Sequence, residues 1–558
     1  MSKDLVEEEV NKVETTENTQ TTEATRPVEA SSIVIPYEGE QKVLFGRTII
    51  YSSLTKKELT AKNILKILPQ VLKEHDKNAQ EIDYLYRYYK GHQPILYKTK
   101  SVRPEINNIV LENHAFEIVE FKKSSEFGEP VQYVQKGEKN IEEISKEISL
   151  LNKYMESEDK SSLDNELAEW QYICGTAYRW CDIDKKDDED EAPFEISVPD
   201  PRRTFVVYSN GIKKEPLFSG FYSYFSDNVI TEDGATYLNK SRIITIYTDD
   251  NMFQFKDGIT SGVEIINQEV PLGEKVIEDE KYPLLIKGQR IIEYPLNQAR
   301  LGYIELVITQ LNALNKIKSD DLDAIDQFVQ SLIVFINQEV DPDKFVQLSK
   351  LGAVEVNSQT PDKPADVKLL VQQLLHSETK IVTDDIYEKM LTILGMPKNS
   401  QKASGGDTGQ ARSLGEGWEL SYQRAKQDDL AFTKSERRLL KLVLSICKAD
   451  NRSTSEKIKI LKISDVDIKI PRNKADNLLV KAQALLNLLQ AGVHPEVAFS
   501  VVGLFGDPHD VYVKSLQFQG EDFWKKVSEI ANDKLNNKTN KNQNQEKNKI
   551  TSSSEGNS

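Results

Sequence analysis

The sequence predicts an α+β protein, mainly helical, assembled from several modules that include one very long helix. Three observations lead there. Apolar residues recur at helical spacing over much of the chain, whereas a block at about 195–295 is dense in β-branched and aromatic residues broken by Gly, Asn and Asp turns. The set Leu414, Trp418, Tyr422, Ala425, Phe432, Leu439, Val443 and Ile446 then keeps helical spacing up to Lys448. At about 1.5 Å per residue that helix is roughly 50 Å long, more than a compact domain spans. A chain of 558 residues, at ~150 per domain, implies three or four domains or one elongated subunit of several modules.

Residues 1–40 are rich in Thr, Glu and Asn without periodicity, and 532–558 form a Lys, Asn, Gln and Ser tract, so both ends are expected to be disordered. Thr55 with Glu58 reads as a capping box before a helix through Leu59, Ile64, Leu65, Ile67 and Leu68, which Pro69 is expected to kink. A second helix is expected over 79–90, ended by Gly91, followed by an extended region carrying Ile109, Leu111, Phe116, Ile118, Val119 and Phe121. Helical period returns from Ile141 to about Trp180, ahead of an acidic loop at 182–191. Strands are expected at 204–208, 217–225, 241–248 and 252–256.

Beyond Pro295, a helix from Gly302 carries Ile304, Leu306, Val307, Leu311, Leu314 and Ile317, with a second piece through Leu322, Ile325 and Phe328. A small α/β insert at 331–373 is expected, with strands at 332–337, 353–357 and 367–371. A helix at 377–394 places Ile381, Ile386, Met390 and Leu394 on one stripe and stops at Gly395 and Pro397. Residues 398–409, KNSQKASGGDTG, read as a loop. Gly415 and Gly417 each cost about 1 kcal/mol inside a helix, so the long helix is expected to start irregularly. A strand at 466–470 and helices at 475–489 and 495–502 close the ordered part.

The charge balance is acidic, with 72 Lys and Arg against 89 Asp and Glu for a net of −17, which disfavours a tight non-specific clamp on DNA. Only Cys174, Cys181 and Cys447 occur, so neither a disulfide scaffold nor a four-cysteine zinc site is available, and a reducing compartment is expected. No secretory signal is visible, and the longest strongly apolar stretch, 332–336, is far short of the ~20 residues that cross a bilayer. There is no glycine loop ending in GK[ST] and no GxSxG elbow, and His75, His92, His114, His376, His494 and His509 lack zinc-ligand spacing. The acidic run lacks the alternating ligands and central Gly of a calcium loop. No enzyme, metal or cofactor is therefore expected.

Four stretches, in order, carry a resemblance. Tyr88-Tyr89-Lys90-Gly91-His92-Gln93-Pro94-Ile95, then Asn107-Asn108-Ile109-Val110-Leu111-Glu112-Asn113 and Gly128-Glu129-Pro130-Val131, form a YY.G...I, NN.I..N and G.P series. The helix at 302–328 follows, then Ser404-Gly405-Gly406 between two helices, then the strand, Pro471-Arg472-Asn473 step and helix of 468–489 with Gly492 and Pro495. Together they resemble the portal protein of tailed double-stranded DNA phages, the head-to-tail connector of the long-tailed type. The acidic N-terminal extension, the 182–191 loop and the polar C-terminal tail depart from that pattern.

The resemblance implies a ring, usually of twelve copies, at one capsid vertex of the virion, assembled in the host cytoplasm. Through it the terminase large subunit packages DNA, which later leaves. The ring is expected to contact major capsid, scaffolding and head-completion or adaptor proteins, with double-stranded DNA in the channel. Its implied modules are a wing at 41–300 and 410–450, stem helices at 301–330 and 374–397, a clip at 331–373, a tunnel loop at 398–409 and a crown at 460–520. Lys398, Asn399, Ser400, Gln401, Lys402, Ser404, Gly405, Gly406, Asp407 and Thr408 are the implied DNA-channel residues, with Lys398 and Lys402 as phosphate contacts. Asp341, Asp343, Lys344, Phe345, Gln359, Asp362 and Lys363 are the implied docking residues of the clip. Two alternatives stay open on the residues alone: a cytoplasmic helical scaffold or adaptor without a channel, and a metal-dependent nuclease whose carboxylate cluster is not visible.

Overall fold

The computed structural model describes residues 42–136, 141–183, 192–230, 236–258, 262–271, 287–329, 332–336, 366–370, 376–398, 417–450, 457–472, 478–504, 511–512 and 514–515. A short strand β1 (Ile50–Ser52) comes first. The Thr55/Glu58 box is present, but it caps a single 3-10 turn, and helix α1 (Ala61–Tyr89) starts behind its own cap, Thr60. The two helices expected here are one helix of 29 residues. It passes Pro69 because that residue lies on the solvent side, where a carbonyl deprived of its N–H partner can turn to water.

The extended reading of 109–121 is corrected: after a strap at 92–113, Phe116, Ile118, Val119 and Phe121 lie on helix α2 (His114–Glu126). Ala115, Ile118, Val119 and Lys122 recur at spacings of three and four and are all buried, so tertiary burial overrides the β-branched composition. Strand β2 (Gln132–Gln135) leads to α3 (Ile141–Ser157) and α4 (Lys160–Cys174). The helical stretch expected to reach Trp180 instead ends at Gly175, φ 78°, where a Cβ would lie 2.1 Å from the carbonyl oxygen of Arg300.

Strands β3 (Thr176–Ile183), β4 (Phe194–Ser197), β5 (Thr204–Ser209), β6 (Pro216–Ile230), β7 (Thr236–Tyr247), β8 (Asn251–Gly258), β9 (Gly262–Pro271) and β10 (Ile291–Pro295) build two sheets. One has the order β1-β5-β6-β7-β8-β9, parallel only between β1 and β5, and the other is the antiparallel trio β10-β3-β4. Alternation along the large sheet puts Phe205, Val207, Ile244, Ile246, Phe253 and Phe255 on one face, against Ile64, Leu68, Val71 and Leu72 of α1. Each such side chain contributes about 1.5–3 kcal/mol on burial. Val206 and Tyr208 on the opposite face meet Tyr178 and Ile291 of the smaller sheet.

Helix α5 (Tyr303–Val329) is a single helix where two pieces were expected. It is followed by β11 (Leu332–Ile336), β12 (Asp366–Leu370), α6 (His376–Leu394), α7 (Trp418–Ala449), β13 (Val466–Lys469), α8 (Leu478–Gln490) and α9 (Pro495–Val502). Gly417, at φ 83°, is the N-cap of α7, so the helix begins where the glycine cost ends. Ile381, expected on the apolar stripe of α6, is 68% exposed, whereas Met390 and Leu394 are buried. Residues 353–357 and 414–416 lie outside the described residues.

Four buried charges lock α7 to the rest. Lys160 bonds Asp164 at 2.6 Å and reaches Glu436 at 3.2 Å, while Arg179 bonds Asp164 at 2.7 Å. Tyr133 and Tyr294 donate to the two Glu436 oxygens at 2.5 and 2.7 Å. The cluster is charge-neutral and joins β2, α4, β3, β10 and α7. Burial pushes the Glu436 carboxyl upward, but the Lys160 and Arg179 cations and both phenols hold it below its usual range. Replacing Glu436 by Ala leaves two buried cations on one carboxylate and orphans two phenols, and the expected loss is about 3–5 kcal/mol. A lower denaturation midpoint of the full chain checks this, and an unchanged midpoint contradicts it.

Candidate functional site

The helices α5 and α6 pack together and share the main core at one end. Ile304, Val307, Ile308, Leu311 and Leu314 of α5 lie in it with Met390, Leu391 and Leu394 of α6. At the other end, α5 runs into β11 and α6 starts after β12, and these two strands pair antiparallel from Leu332↔Leu370 to Ile336↔Asp366. The helices are thus antiparallel, and the segment between the strands leaves and returns at one place.

The start of α5 is anchored by Glu305. Its carboxylate accepts from the Gly302 amide at 2.7 Å, the Gly46 amide at 3.2 Å and Arg47 Nη2 at 2.5 Å. Beside it, Arg300 bonds Glu293 at 2.6 Å, which also takes the Thr176 hydroxyl at 3.0 Å.

Further along, a polar stripe runs down α5 at spacings of three, four and four: Asn312, Asn315, Ser319 and Asp323, all buried. It holds the strap. Tyr88 donates to Asn312 at 2.9 Å, the Glu112 amide to Asn315 at 2.9 Å, and the Val110 amide to Ser319 at 3.0 Å. Asp323 receives Lys98 at 2.7 Å, Lys100 at 2.8 Å and the Asn108 amide at 2.6 Å. Gln93 bridges Asn113 and Asn315. The YY.G and NN.I..N residues are therefore the two sides of a strap fastened along one helix, which gives the buried Asn312, Asn315, Ser319 and Asp323 their partners. Burial pushes the Asp323 carboxyl up, but Lys100, Lys98 and the Asn108 amide hold it well below the usual range.

The outer surface of the pair leans acidic. Exposed charges on α6 are Glu378, Asp384, Asp385 and Glu388 against Lys380 and Lys389, with Asp385 and Lys389 paired at 2.5 Å. Of the ten expected channel residues only Lys398 is described. It is exposed just beyond α6, with its ammonium 3.3 Å from Glu388. Such a surface pair contributes at most about 1 kcal/mol, so a phosphate competes for the lysine readily. Residues 399–408 and the clip residues Asp341, Asp343, Lys344, Phe345, Gln359, Asp362 and Lys363 lie outside the described residues. The buried α5 stripe was missed by sequence reasoning, because Asn, Ser and Asp at helical spacing look like a solvent face; only their match to the Asn-rich strap could have disclosed it.

Cys174, Cys181 and Cys447 are buried, and burial pushes the Cys174 thiol up to about 12. Among the described residues there is no grouping of three or more His, Cys, Asp or Glu that would hold a metal, and no helix long and apolar enough to cross a membrane.

The strap has a direct test. Asp323→Ala removes the acceptor of Lys98 and Lys100, a loss of about 2 kcal/mol for a charged hydrogen bond, and tryptic cleavage after Lys98 and Lys100 is expected to quicken roughly thirtyfold. Because the folded carboxyl sits below the unfolded aspartate value of ~3.9, its contribution is complete above about pH 5 and is lost progressively as the pH falls from there through the folded value. Unchanged cleavage in the variant would show that the strap is held elsewhere.

Comparison with known proteins returns one family: a model described as "Phage portal protein, SPP1 Gp6-like" matches residues 69–502. No curated protein matches. A solved chain described as "Neck of empty GTA particle computed with C6 symmetry" is similar over 71% of this chain and 90% of that one, at 12% identity and a TM-score of 0.35. The family match covers more than three quarters of the sequence, so the chain belongs to the phage portal proteins, the structural, non-catalytic components that form the capsid-vertex channel used in DNA packaging.

Proposed function

We propose that α5 and α6 are the stem of the channel, that 331–373 is its clip, and that 398–409 forms the tunnel loop. On this reading α7 belongs with 41–300 to the wing, and 460–520 is the crown facing packaged DNA. One observation carries the assignment: two antiparallel helices are rooted in the same core at one end and joined through the paired strands β11 and β12 at the other. That is the arrangement a wall needs if a small docking module is to project from its outer end.

The chemistry is that of a passive conduit. A leaning-acidic α6 surface repels the duplex instead of retaining it, and the scattered lysines, Lys398 first, offer contacts weak enough to be broken at each step. ATP hydrolysis belongs to the terminase large subunit, which docks on the clip and is later replaced there by a head-completion or adaptor protein. Exposed apolar residues on a single copy, Ile381 at 68%, Val382 at 51% and Val501 at 69%, are surfaces that neighbouring copies would cover in a closed heterologous ring of about twelve. Capsid and scaffolding proteins would hold that ring at the vertex.

The tunnel-loop assignment is tested by deleting residues 404–406. Rings are expected to form with normal mass while DNA packaging or retention in particles falls. Full packaging and retention by the deletion would contradict the assignment, and loss of the ring would make the segment structural.

A further inference from the structure

Helix α1 carries a stripe of one sign on an otherwise acidic protein. Lys62, Lys66, Lys73 and Lys77 are exposed, and at about 100° per residue they fall within roughly 60° of each other around the helix. Fifteen residues separate the first from the last, about 22 Å along the axis. Lys77 meets Glu74 at 2.9 Å, whereas Lys62, Lys66 and Lys73 make no ion pair among the described residues. The neighbouring acids are already engaged, since Asp76 and Asp257 both bind Arg242, at 2.8 and 2.7 Å. Beside the stripe runs an open groove of about 440 Å³ in which Lys73, Lys77 and Arg242 stand with Asp76 and Asp257, the two carboxylates that Arg242 pairs.

The chain enters the described structure on this same helix. The Lys42 amide donates to Tyr84 at 3.4 Å, Arg47 meets Glu81 at 3.1 Å, and Thr48 exchanges hydrogen bonds with Asn78. Residues 42–48 therefore cross α1 obliquely, and their upstream end leaves it at Tyr84, within the angular range of the lysines and about 10 Å beyond Lys77. Upstream lie 41 residues with ten carboxylates, among them Glu7, Glu8, Glu9, Glu14, Glu17 and Glu23, against three cations. At ~3.3 Å per residue they reach the whole stripe several times over.

We propose that the acidic N-terminal segment 1–41 lies along the Lys62–Lys77 stripe and groove of α1 and shields it from nucleic-acid phosphates. The segment carries the opposite charge in excess, it starts at the end of the stripe, and it is long enough to bring its carboxylates within a Debye length of the ammonium groups, ~8 Å at physiological salt. Its effect is to keep this basic face of a DNA-handling protein from holding DNA.

Zero-length carbodiimide cross-linking of the full chain, mapped by mass spectrometry, tests the placement. Cross-links from Lys62, Lys66, Lys73 or Lys77 to acids between positions 4 and 29 are expected, and their loss in 1 M salt. Cross-links from these lysines only to acids elsewhere in the fold would overturn it. Shielding is tested on heparin, used as the polyanion probe, with Glu7, Glu8, Glu9, Glu14, Glu17 and Glu23 all changed to Gln. The variant is expected to elute at higher salt, and adding Lys62→Gln, Lys66→Gln, Lys73→Gln and Lys77→Gln is expected to abolish that shift. No shift, or a shift that survives without the lysines, would overturn shielding. These changes lie outside the packed core, so altered folding does not confuse the result.

Discussion

Glu436 sits fully buried where β2, α4, β3, β10 and α7 meet, and the arrangement of these elements depends on how its charge is met. Apolar contacts alone would let a 32-residue helix slide or rotate by a turn with little penalty, because one leucine face packs much like the next. A carboxylate that must find two phenols and a lysine, itself tied to the Asp164–Arg179 pair, has one solution. The register of α7 follows from it. So does the position of β10, whose Tyr294 is one of the two donors and whose Glu293 fixes Arg300 at the threshold of α5.

The same logic recurs along α5. Its N-terminus is held by Glu305, and its length is tied down by a buried row of Asn, Ser and Asp that satisfies the strap backbone. Hydrogen bonds of this kind add only about 0.5–1.5 kcal/mol each, but leaving one unmade inside costs more, so the strap has a single docking position. A protein that passes a long polymer under load gains from elements positioned by directional bonds over elements positioned by greasy contact alone.

Much of the fold was legible in the sequence, and the failures have physical causes. Strands β5 to β8 of the large sheet and helices α5, α6 and α7 were recovered because their apolar residues are periodic, whereas β1 and β9 were not read as strands. Helix α2 was read as extended because Ile118, Val119 and Phe121 favour strands in isolation. The end of α4 was overrun because nothing local marks Gly175 as left-handed; the close approach of Arg300, more than a hundred residues away, demands it. Pro69 lies inside one continuous helix, on its solvent side, so the stretches before and after it are not separate elements. As for the candidate site, the strap motif was visible as a motif, whereas its partners on α5 were not. Buried polar residues carry the same letters as exposed ones, and only the tertiary structure separates the two.

The family assignment and the acid-leaning helix pair fit a molecule arranged to surround DNA without holding it. The central claim is that α5 and α6 form the wall of that passage, and the most direct measurement is a cryo-electron-microscopy reconstruction of the assembled protein with its mass measured in solution. The account predicts closed rings with a central hole at least as wide as the ~20 Å duplex, with α5 and α6 on the inner wall and β11 and β12 at one rim. Rings lined by the six-stranded sheet or by α7, or a chain that remains monomeric even alongside its capsid partners, would contradict it.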